Sequence, residues 1–286
     1  MPAALLGLIS ALVYGSADFV GGVASRRIGP VRTTATGAVS GLALLLLALP
    51  FVGGVWSPSA LGWGALSGAV GTLAVGLLYA CLAIGPMSIL SPLTALVSAV
   101  VPLIWGLVGG DRFAMIGYVA LGLALVAVVL VGFVPERGAV RPSGRALLMA
   151  VAAGTLIGVF LILLDQTPAD SGLVPLVANR AVNGAIMWTV VGILVLRARR
   201  RGAVGPAFTT AGAALAIGAG ALDASANVLI LLGLRVGELS TMSVLVALYP
   251  AGTILLAALV LRERIAPVQW VGLVLAITAA GMLAVA

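Results

Sequence analysis

Three charged side chains lie inside long apolar stretches of the sequence, away from the polar loops. They are Asp18, Arg180 and Asp223. A charged side chain at the centre of a bilayer costs roughly 3 kcal/mol or more unless it is paired or hydrated, so such residues usually face the inside of a helix bundle. There, a carboxylate can carry a proton and a guanidinium group can bind an anion. The simpler alternative is that Arg180 pairs with Asp223 or Asp18 and only fastens helices together.

Polar residues accompany these charges at a spacing of four, which places both members of a pair on one face of a helix. The pairs are Tyr14/Asp18, Asn179/Asn183 on either side of Arg180, and Asp223/Asn227. Three polar faces in an apolar bundle are expected to turn inward and line a cavity. The predicted substrate-binding residues on these faces are Tyr14, Asp18, Arg180, Asp223 and Asn227. Asp223 and Asp18 are also the candidates to carry a coupling proton.

Two further tyrosines are candidates for the same cavity. Tyr79 lies in a long apolar stretch, and Tyr249 directly precedes Pro250. A buried phenol seeks a hydrogen-bond partner. A proline inside a helix leaves a carbonyl one turn earlier without its partner and bends the helix. The alternatives are that the tyrosines anchor helices at the membrane surface and that the proline only bends its helix.

The composition excludes a soluble protein and most catalytic chemistry. Hydrophobic residues make up 62% of the 286 residues and charged residues only 8%, against about 25% charged residues in soluble domains. The chain has no His, every basic residue is Arg, and Cys81 is the single cysteine. A Ser–His pair, a His-ligated metal, a Schiff-base lysine and an internal disulfide are therefore excluded. We expect no cofactor, no metal and no enzyme activity.

Ten apolar segments approach the roughly 20 residues that a membrane-spanning helix needs. The predicted spans are 3–24, 32–52, 60–83, 87–109, 114–134, 145–164, 173–196, 208–233, 238–261 and 267–285. The first segment lacks a preceding basic stretch, which favours a retained span over a cleaved signal. The elements that must position the polar residues are therefore membrane-spanning helices.

Arginine is distributed unevenly between the two sides of the predicted membrane. The loops that follow spans 1, 3, 5, 7 and 9 carry 12 arginines, whereas the opposite side carries only Arg112 and Arg235. Because arginine-rich loops stay in the cytoplasm, we predict a multi-pass inner-membrane protein with both termini outside. The net charge of +7 is then explained by the arginines that set the orientation in the membrane. We expect the partners to be lipid and a small solute rather than nucleic acid.

The chain contains an internal repeat. Residues 85–131 recur without a gap as residues 237–283, with 17 of the 47 aligned pairs identical, where roughly five would arise by chance. A polar linker at 135–144 separates a first unit, 1–134, from a second, 145–286. Five spans per unit is an odd number, so the units lie upside down relative to each other. The predicted fold is an all-α membrane protein of ten transmembrane helices in two inverted five-helix repeats.

The second unit carries a recognisable motif. Residues 248–250 read Leu-Tyr-Pro, and residues 261–272 read Leu-Arg-Glu-Arg-Ile-Ala-Pro-Val-Gln-Trp-Val-Gly. This pattern resembles the EamA family of the drug/metabolite transporter superfamily, in which a span ends in Glu-Arg and a short turn leads to Gln-x-x-Gly. The first unit departs from it, with Asp111-Arg112 in place of Glu-Arg. Asp18 also stands displaced from the span-1 Glu of small multidrug relatives. Many relatives are expected to keep both termini in the cytoplasm, which differs from the orientation that the arginines of this chain predict.

The resemblance implies a secondary transporter with its cavity between the halves, lined by spans 1, 3, 4, 6, 8 and 9. We expect a small metabolite or an amphiphilic or zwitterionic solute to cross by alternating access, with export driven by proton coupling or exchange. A flippase for a lipid-linked group is the main alternative, and a polytopic membrane enzyme is a third. The oligomeric state is expected to be a monomer or a homodimer.

Overall fold

In the computed structural model of the protein, residues 2–82, 84, 87–132, 142–200, 209–260, 262 and 265–285 are described. The described residues form α-helices and one short 3₁₀ turn at Ala169–Ser171, with no strand among them. The helices are α1 Pro2–Ile28, α2 Pro30–Val52, α3 Pro58–Leu82, α4 Met87–Gly109, α5 Met115–Gly132, α6 Gly144–Asp165, α7 Val174–Arg200, α8 Thr210–Val236, α9 Leu239–Val246, α10 Pro250–Val260 and α11 Pro267–Val285.

Ten segments of the described chain are long and apolar enough to cross a membrane, with α9 and α10 together forming the ninth. This confirms the predicted all-α membrane fold. Proline opens five of the helices at positions where its missing N–H costs nothing, as at Pro30 and Pro267. Hydroxyl caps open others: the Ser143 oxygen accepts from the Ala146 N–H at 3.2 Å, and the Thr209 oxygen accepts from the Gly212 N–H at 3.2 Å.

The predicted ninth span at 238–261 is confirmed as Leu239–Val260, and the bend expected at Pro250 is a break between α9 and α10. Pro250 has no N–H to donate to the carbonyl of Val246, and the Tyr249 N–H donates to that carbonyl instead at 3.0 Å. Similar tight bonds join Leu248 to Leu245 and Ala251 to Leu248. The backbone therefore stays hydrogen-bonded through the break, as an apolar environment requires. By contrast, α4 continues unbroken through its two prolines.

Helix packing follows the internal repeat. The first five spans are α1 to α5, and their counterparts are α6, α7, α8, the α9–α10 pair and α11. Exchanging each helix for its counterpart turns the α1–α8 contact into the α3–α6 contact, and the α2–α8 contact into the α3–α7 contact. The α4–α6 contact likewise becomes the contact of α1 with α9 and α10. The α2–α7, α4–α9 and α5–α11 contacts map onto themselves. The two halves are thus inverted repeats related by a pseudo-two-fold axis.

Small residues allow the halves to approach closely. On α3, Gly64 lies against the backbone of Pro175 and Gly68 against the backbone of Asn179, both on α7. In the equivalent contact, α8 packs on α2 with Gly220 against the backbone of Gly37 and beside Gly41. A methyl group at Gly64, Gly68 or Gly220 would meet backbone atoms, so only glycine permits this separation between the helices. The predicted boundary at 135–144 falls largely outside the described residues, and the division into units 1–134 and 145–286 stays a prediction.

Candidate functional site

An ion pair joins two of the three intramembrane charges. The Arg180 guanidinium on α7 contacts the Asp223 carboxylate on α8, and both side chains are largely shielded from solvent, at 11% and 24% exposure. Gly41 on α2 lies beside the Arg180 side chain, with the Arg180 Cδ 3.6 Å from where a Cβ of residue 41 would stand. The sequence left open whether Arg180 pairs with Asp18 or with Asp223. In the structure the partner of Arg180 is Asp223.

Tyr14 lies at the centre of the predicted polar cluster. Its phenol is within electrostatic reach of Asp18, Arg180, Asp223 and Tyr249. The rings of Tyr14 and Tyr249 pack with centroids 5.7 Å apart and an interplanar angle of 60°. The structure thus brings five predicted residues together from α1, α7, α8 and the broken ninth span.

Two close contacts between α1 and α10 place the tyrosines side by side. Gly15 lies against the backbone of Tyr249 and Gly252, and the Thr253 hydroxyl donates to the Gly15 carbonyl at 3.0 Å. Sequence analysis missed Gly15, Gly252 and Thr253. The available signal was the position of Gly15 between Tyr14 and Asp18, and of Gly252 two residues after Pro250.

Asp18 has accessible surface on α1 and lies close enough to Asp223 for the two carboxylates to repel. Four residues further along the same face of α1, Gly22 is also exposed, with no neighbouring atom where a Cβ would stand. Seven and eleven residues earlier on this face, Ala11 and Gly7 are buried. The face that carries Asp18 is therefore packed towards the N-terminal end of α1 and open towards the arginine-rich end.

The asparagines have separate roles. The Asn227 amide, 2% exposed, donates to the Asp223 backbone carbonyl at 2.8 Å. Asn179 donates to the Ser67 hydroxyl on α3 at 2.8 Å and so joins two helices. The buried side-chain oxygens of Asn183 and Asn227 and the Arg180 Nε have no hydrogen-bond partner among the described residues. Unpaired buried polar atoms are costly, and these three are the atoms that a polar ligand could satisfy.

The predicted lining of spans 1, 3, 4, 6, 8 and 9 is met only in part. Arg180 brings the seventh span into the cluster, whereas the Tyr79 side chain on α3 lies outside the described part of the structure. A cavity of about 380 Å³ between α4 and α6 is lined only by apolar side chains, among them Trp105 and Ile162. It offers no group that could orient a charged solute, so the polar cluster around Tyr14 is the better candidate site.

The arginine-poor end of the bundle is closed by contacts between the two halves. The Val55 N–H donates to the Asp170 carbonyl at 3.0 Å, and the Leu173 N–H donates to the Gly53 carbonyl at 3.3 Å. The Asp111 carboxylate accepts from the Ser240 N–H at 3.0 Å. In α7, residues 174–179 at this end are all buried, whereas no residue from 180 to 200 is.

A pair of carboxyl groups lies at this closed end, outside the spans. A hydrogen bond to Asp111, burial, and the negative charges of Asp111 and Asp165 raise the pKa of Glu238 to about 7. Burial acts to raise the pKa of Asp111 as well. Hydrogen bonds from Glu238 and Ser240 and the charge of Arg112 outweigh it and hold that pKa below its usual value. The pair therefore shares a proton near neutral pH.

Comparison with known proteins places the chain in a transporter context. The sequence model of the EamA-like transporter family matches residues 1–133 and 144–285, which is nearly the whole chain in two copies. A solved structure described only as "Crystal structure of protein" superposes with a TM-score of 0.73 at 16% identity, covering 99% of this chain and 96% of that one. At this identity it shows a shared fold alone. No curated protein matches the chain.

Proposed function

Since the chain belongs to the EamA-like transporter family, a group of membrane transporters in the drug/metabolite transporter superfamily, we propose that it is a secondary transporter for a small amphiphilic or zwitterionic solute. The observation that carries the proposal is the ion pair between Arg180 and Asp223 beside unpaired polar atoms of Asn183 and Asn227. A zwitterion offers one charge to each partner of the pair and hydrogen-bond donors to the two amide oxygens. Tyr14 and Tyr249 supply aromatic surface for its apolar part.

The solute is proposed to bind between α1, α7, α8 and α10, at the seam of the two halves. Intramembrane sites at the interface of inverted repeats, next to a broken helix, are typical of secondary transporters. With the arginine-poor end closed, solute reaches this site from the arginine-rich end. Rocking of the halves would then expose the site to the other side, with bound solute favouring the closed intermediate.

Proton coupling is proposed to run through Asp18 rather than Asp223. A proton carrier must exchange its proton with water. Asp18 is exposed along the open face of α1, whereas Asp223 is engaged by Arg180. Asp223 with Asn227 is then the proposed solute contact. Export from the inner membrane, by proton coupling or exchange, is the proposed direction.

Reconstituted protein tests this proposal. Proteoliposomes with and without a pH gradient would be given a panel of labelled amino acids, amines and organic acids, using wild type, Asp18→Asn, Asp223→Asn and the loop control Asp170→Asn. We expect Asp170→Asn to match wild type, Asp223→Asn to lose uptake at least tenfold, and Asp18→Asn to lose the response to the gradient. A gradient response that survives in Asp18→Asn would refute its proton role.

The same vesicles separate transport of soluble solutes from lipid flipping. If no soluble solute enters while wild-type protein translocates a labelled lipid-linked sugar, the flippase alternative holds and the solute proposal is wrong. No described contact favours that alternative over a solute site.

The proposed orientation, with arginine-rich loops in the cytoplasm and both termini outside, has its own test. With Cys81 replaced by Ala, single cysteines would be placed at Trp56, on the arginine-poor side, and at Gly144, on the arginine-rich side; both positions are exposed. An impermeant maleimide applied to intact cells should label the cysteine at 56 and not the one at 144. The reverse pattern would overturn the orientation.

A further inference from the structure

A second cavity lies far from the polar cluster, where the turn between α1 and α2 meets the end of α7. Its volume is about 400 Å³. On one side it is lined by Ile28 and by Arg32 in the first turn of α2, and on the other by α7 from Val191 to Arg199. On α7, Arg199 is 19 residues beyond Arg180, or about 28 Å along the helix, so this cavity is separate from the proposed solute site.

The lining of this cavity changes from apolar to charged along α7. Val191, Leu194 and Val195 lie towards the middle of the bilayer, and Arg199 lies one turn beyond them at the helix end. The distance from Val191 to Arg199 is about 12 Å along the axis. A phospholipid lies parallel to a membrane-spanning helix. Its acyl chain and its charged headgroup therefore follow each other in this same order, over a comparable length.

Positive charge is concentrated around the cavity mouth. The ends of the helices that build it carry six arginines: Arg26, Arg27, Arg32, Arg197, Arg199 and Arg200. The N-terminus of α2 at Pro30 adds partial positive charge from its helix dipole. A basic pocket between helices at the membrane surface attracts anionic lipid headgroups.

We propose that this cavity is a binding site for one anionic phospholipid, whose phosphate lies between Arg32 and Arg199 and whose acyl chain packs on Val191, Leu194 and Val195. The lipid bridges the first and second halves of the protein at the arginine-rich end. No residue of α7 from 180 to 200 is buried, so this part of the helix packs loosely on the rest of the protein. The lipid therefore stabilises this part of the bundle, and the site is independent of which solute the protein moves.

The test measures the binding of defined lipids to the full-length protein purified in a mild detergent. Phosphatidylglycerol, phosphatidylcholine of the same chain length, and inorganic phosphate would each be titrated, with native mass spectrometry and thermal stability as readouts. The first variant, Arg32→Gln/Arg199→Gln, removes the two arginines of the cavity. The second, Arg26→Gln/Arg27→Gln, removes an equal amount of positive charge at the same arginine-rich end but outside the cavity. Val195→Trp fills the cavity without changing charge.

We expect wild type to retain one phosphatidylglycerol and to gain thermal stability from it, but not from phosphatidylcholine or phosphate. Arg32→Gln/Arg199→Gln should weaken this binding about thirtyfold, Val195→Trp should also remove it, and Arg26→Gln/Arg27→Gln should change it less than threefold. Three outcomes would overturn the proposal: equal binding of the two lipids, an equal loss in both arginine double variants, or full stabilisation by phosphate alone. In turn, these outcomes would show lipid binding that does not depend on headgroup charge, a diffuse charge effect, or a free-anion site.

Discussion

At the scale of single residues, the ion pair of Arg180 and Asp223 decides how the polar cluster can work. The sequence posed two roles for Arg180, a fastener between helices and a clamp for an anion. The geometry combines them, because a pair that holds α7 to α8 also presents two charges to a solute that can replace each partner. A pair whose only role was structural could be exchanged for apolar groups without loss of transport.

This distinction gives the first prediction. Asp223→Leu should lower the free energy of unfolding by about 3 kcal/mol, because it leaves the charge of Arg180 shielded and unpaired. Arg180→Met/Asp223→Leu should recover most of that stability, since apolar groups of similar volume pack well in place of a buried pair. Denaturation in mixed micelles measures the stability, and proteoliposome uptake measures transport. We expect the double variant to be stable and inactive; a stable double variant with normal uptake would reduce the pair to a fastener.

At the scale of helices, glycine positions set the distances that bring the polar side chains together. Gly68 lies against the Asn179 backbone, one residue before Arg180, so the fit of α3 on α7 helps to fix where Arg180 points. Gly62, six residues earlier on α3, has no neighbouring atom where a Cβ would stand. The two glycines look alike in sequence, and only the packing distinguishes them.

The second prediction uses these two glycines as a matched pair. Gly68→Ala should lower the free energy of unfolding by about 2 kcal/mol, because the added methyl group forces the helices apart. Gly62→Ala should leave stability unchanged or raise it slightly, since alanine favours the helix. Thermal denaturation in detergent measures both variants. Equal effects at the two positions would show that the close approach of α3 and α7 does not contribute to stability.

The third prediction concerns the pH dependence of the closed end. The pKa of Glu238, raised to about 7, means that the folded protein holds a proton there which the unfolded chain releases above about pH 4.3. Stability should therefore fall as pH rises from about 5 to about 7 and level off above that. The lowered pKa of Asp111 acts only in more acidic solution, where its contribution is lost as the pH falls.

Glu238→Gln isolates this effect, because the amide can donate to Asp111 but does not titrate. Glu238 is exposed, so solvent screening limits the difference to about 1 kcal/mol. The melting temperatures of wild type and Glu238→Gln should agree near pH 5 and diverge towards pH 8, with the variant the more stable. Parallel melting curves across this range would contradict a shared proton at the pair.

At the scale of the whole molecule, the two inverted halves make one set of contacts within each half and another across the seam. Gly21 on α1 and Ala219 on α8 face each other across the seam, with 3.7 Å between the Ala219 Cβ and a Cβ built on Gly21. Within the first half, Gly132 on α5 and Pro92 on α4 stand at the same 3.7 Å separation. Both distances suit a disulfide.

The fourth prediction follows from this match. With Cys81 replaced by Ala, oxidation of Gly21→Cys/Ala219→Cys should abolish transport by locking the halves together, and reduction should restore it. Gly132→Cys/Pro92→Cys should cross-link as readily and leave transport intact, because it joins helices that move as one body. Uptake assays before and after oxidation provide the measurement. Normal transport with the seam cross-linked would rule out rocking of the halves.

The repeat and the ten spans were readable from the sequence because hydrophobicity and length alone decide what enters a membrane. The types of the site residues were readable for a related reason, since a charge such as Asp18 persists in an apolar helix only with a partner or water. The break at Pro250 was foreseen only as a bend. The length of the break depends on whether tight turns around Tyr249 can supply hydrogen-bond partners for the nearby backbone N–H and C=O groups.

The tertiary structure alone decided which partners meet. Arg180 pairs with Asp223 and not Asp18, Asn179 contacts Ser67 and not the cluster, and Tyr14 meets Tyr249 because Gly15 and Gly252 let two helices touch. These contacts join helices that are distant in sequence or belong to opposite halves, and the rotation and separation of the packed helices set the distances between them. A linear pattern fixes the face on which a side chain lies, but the neighbour it meets depends on the packing of all ten spans.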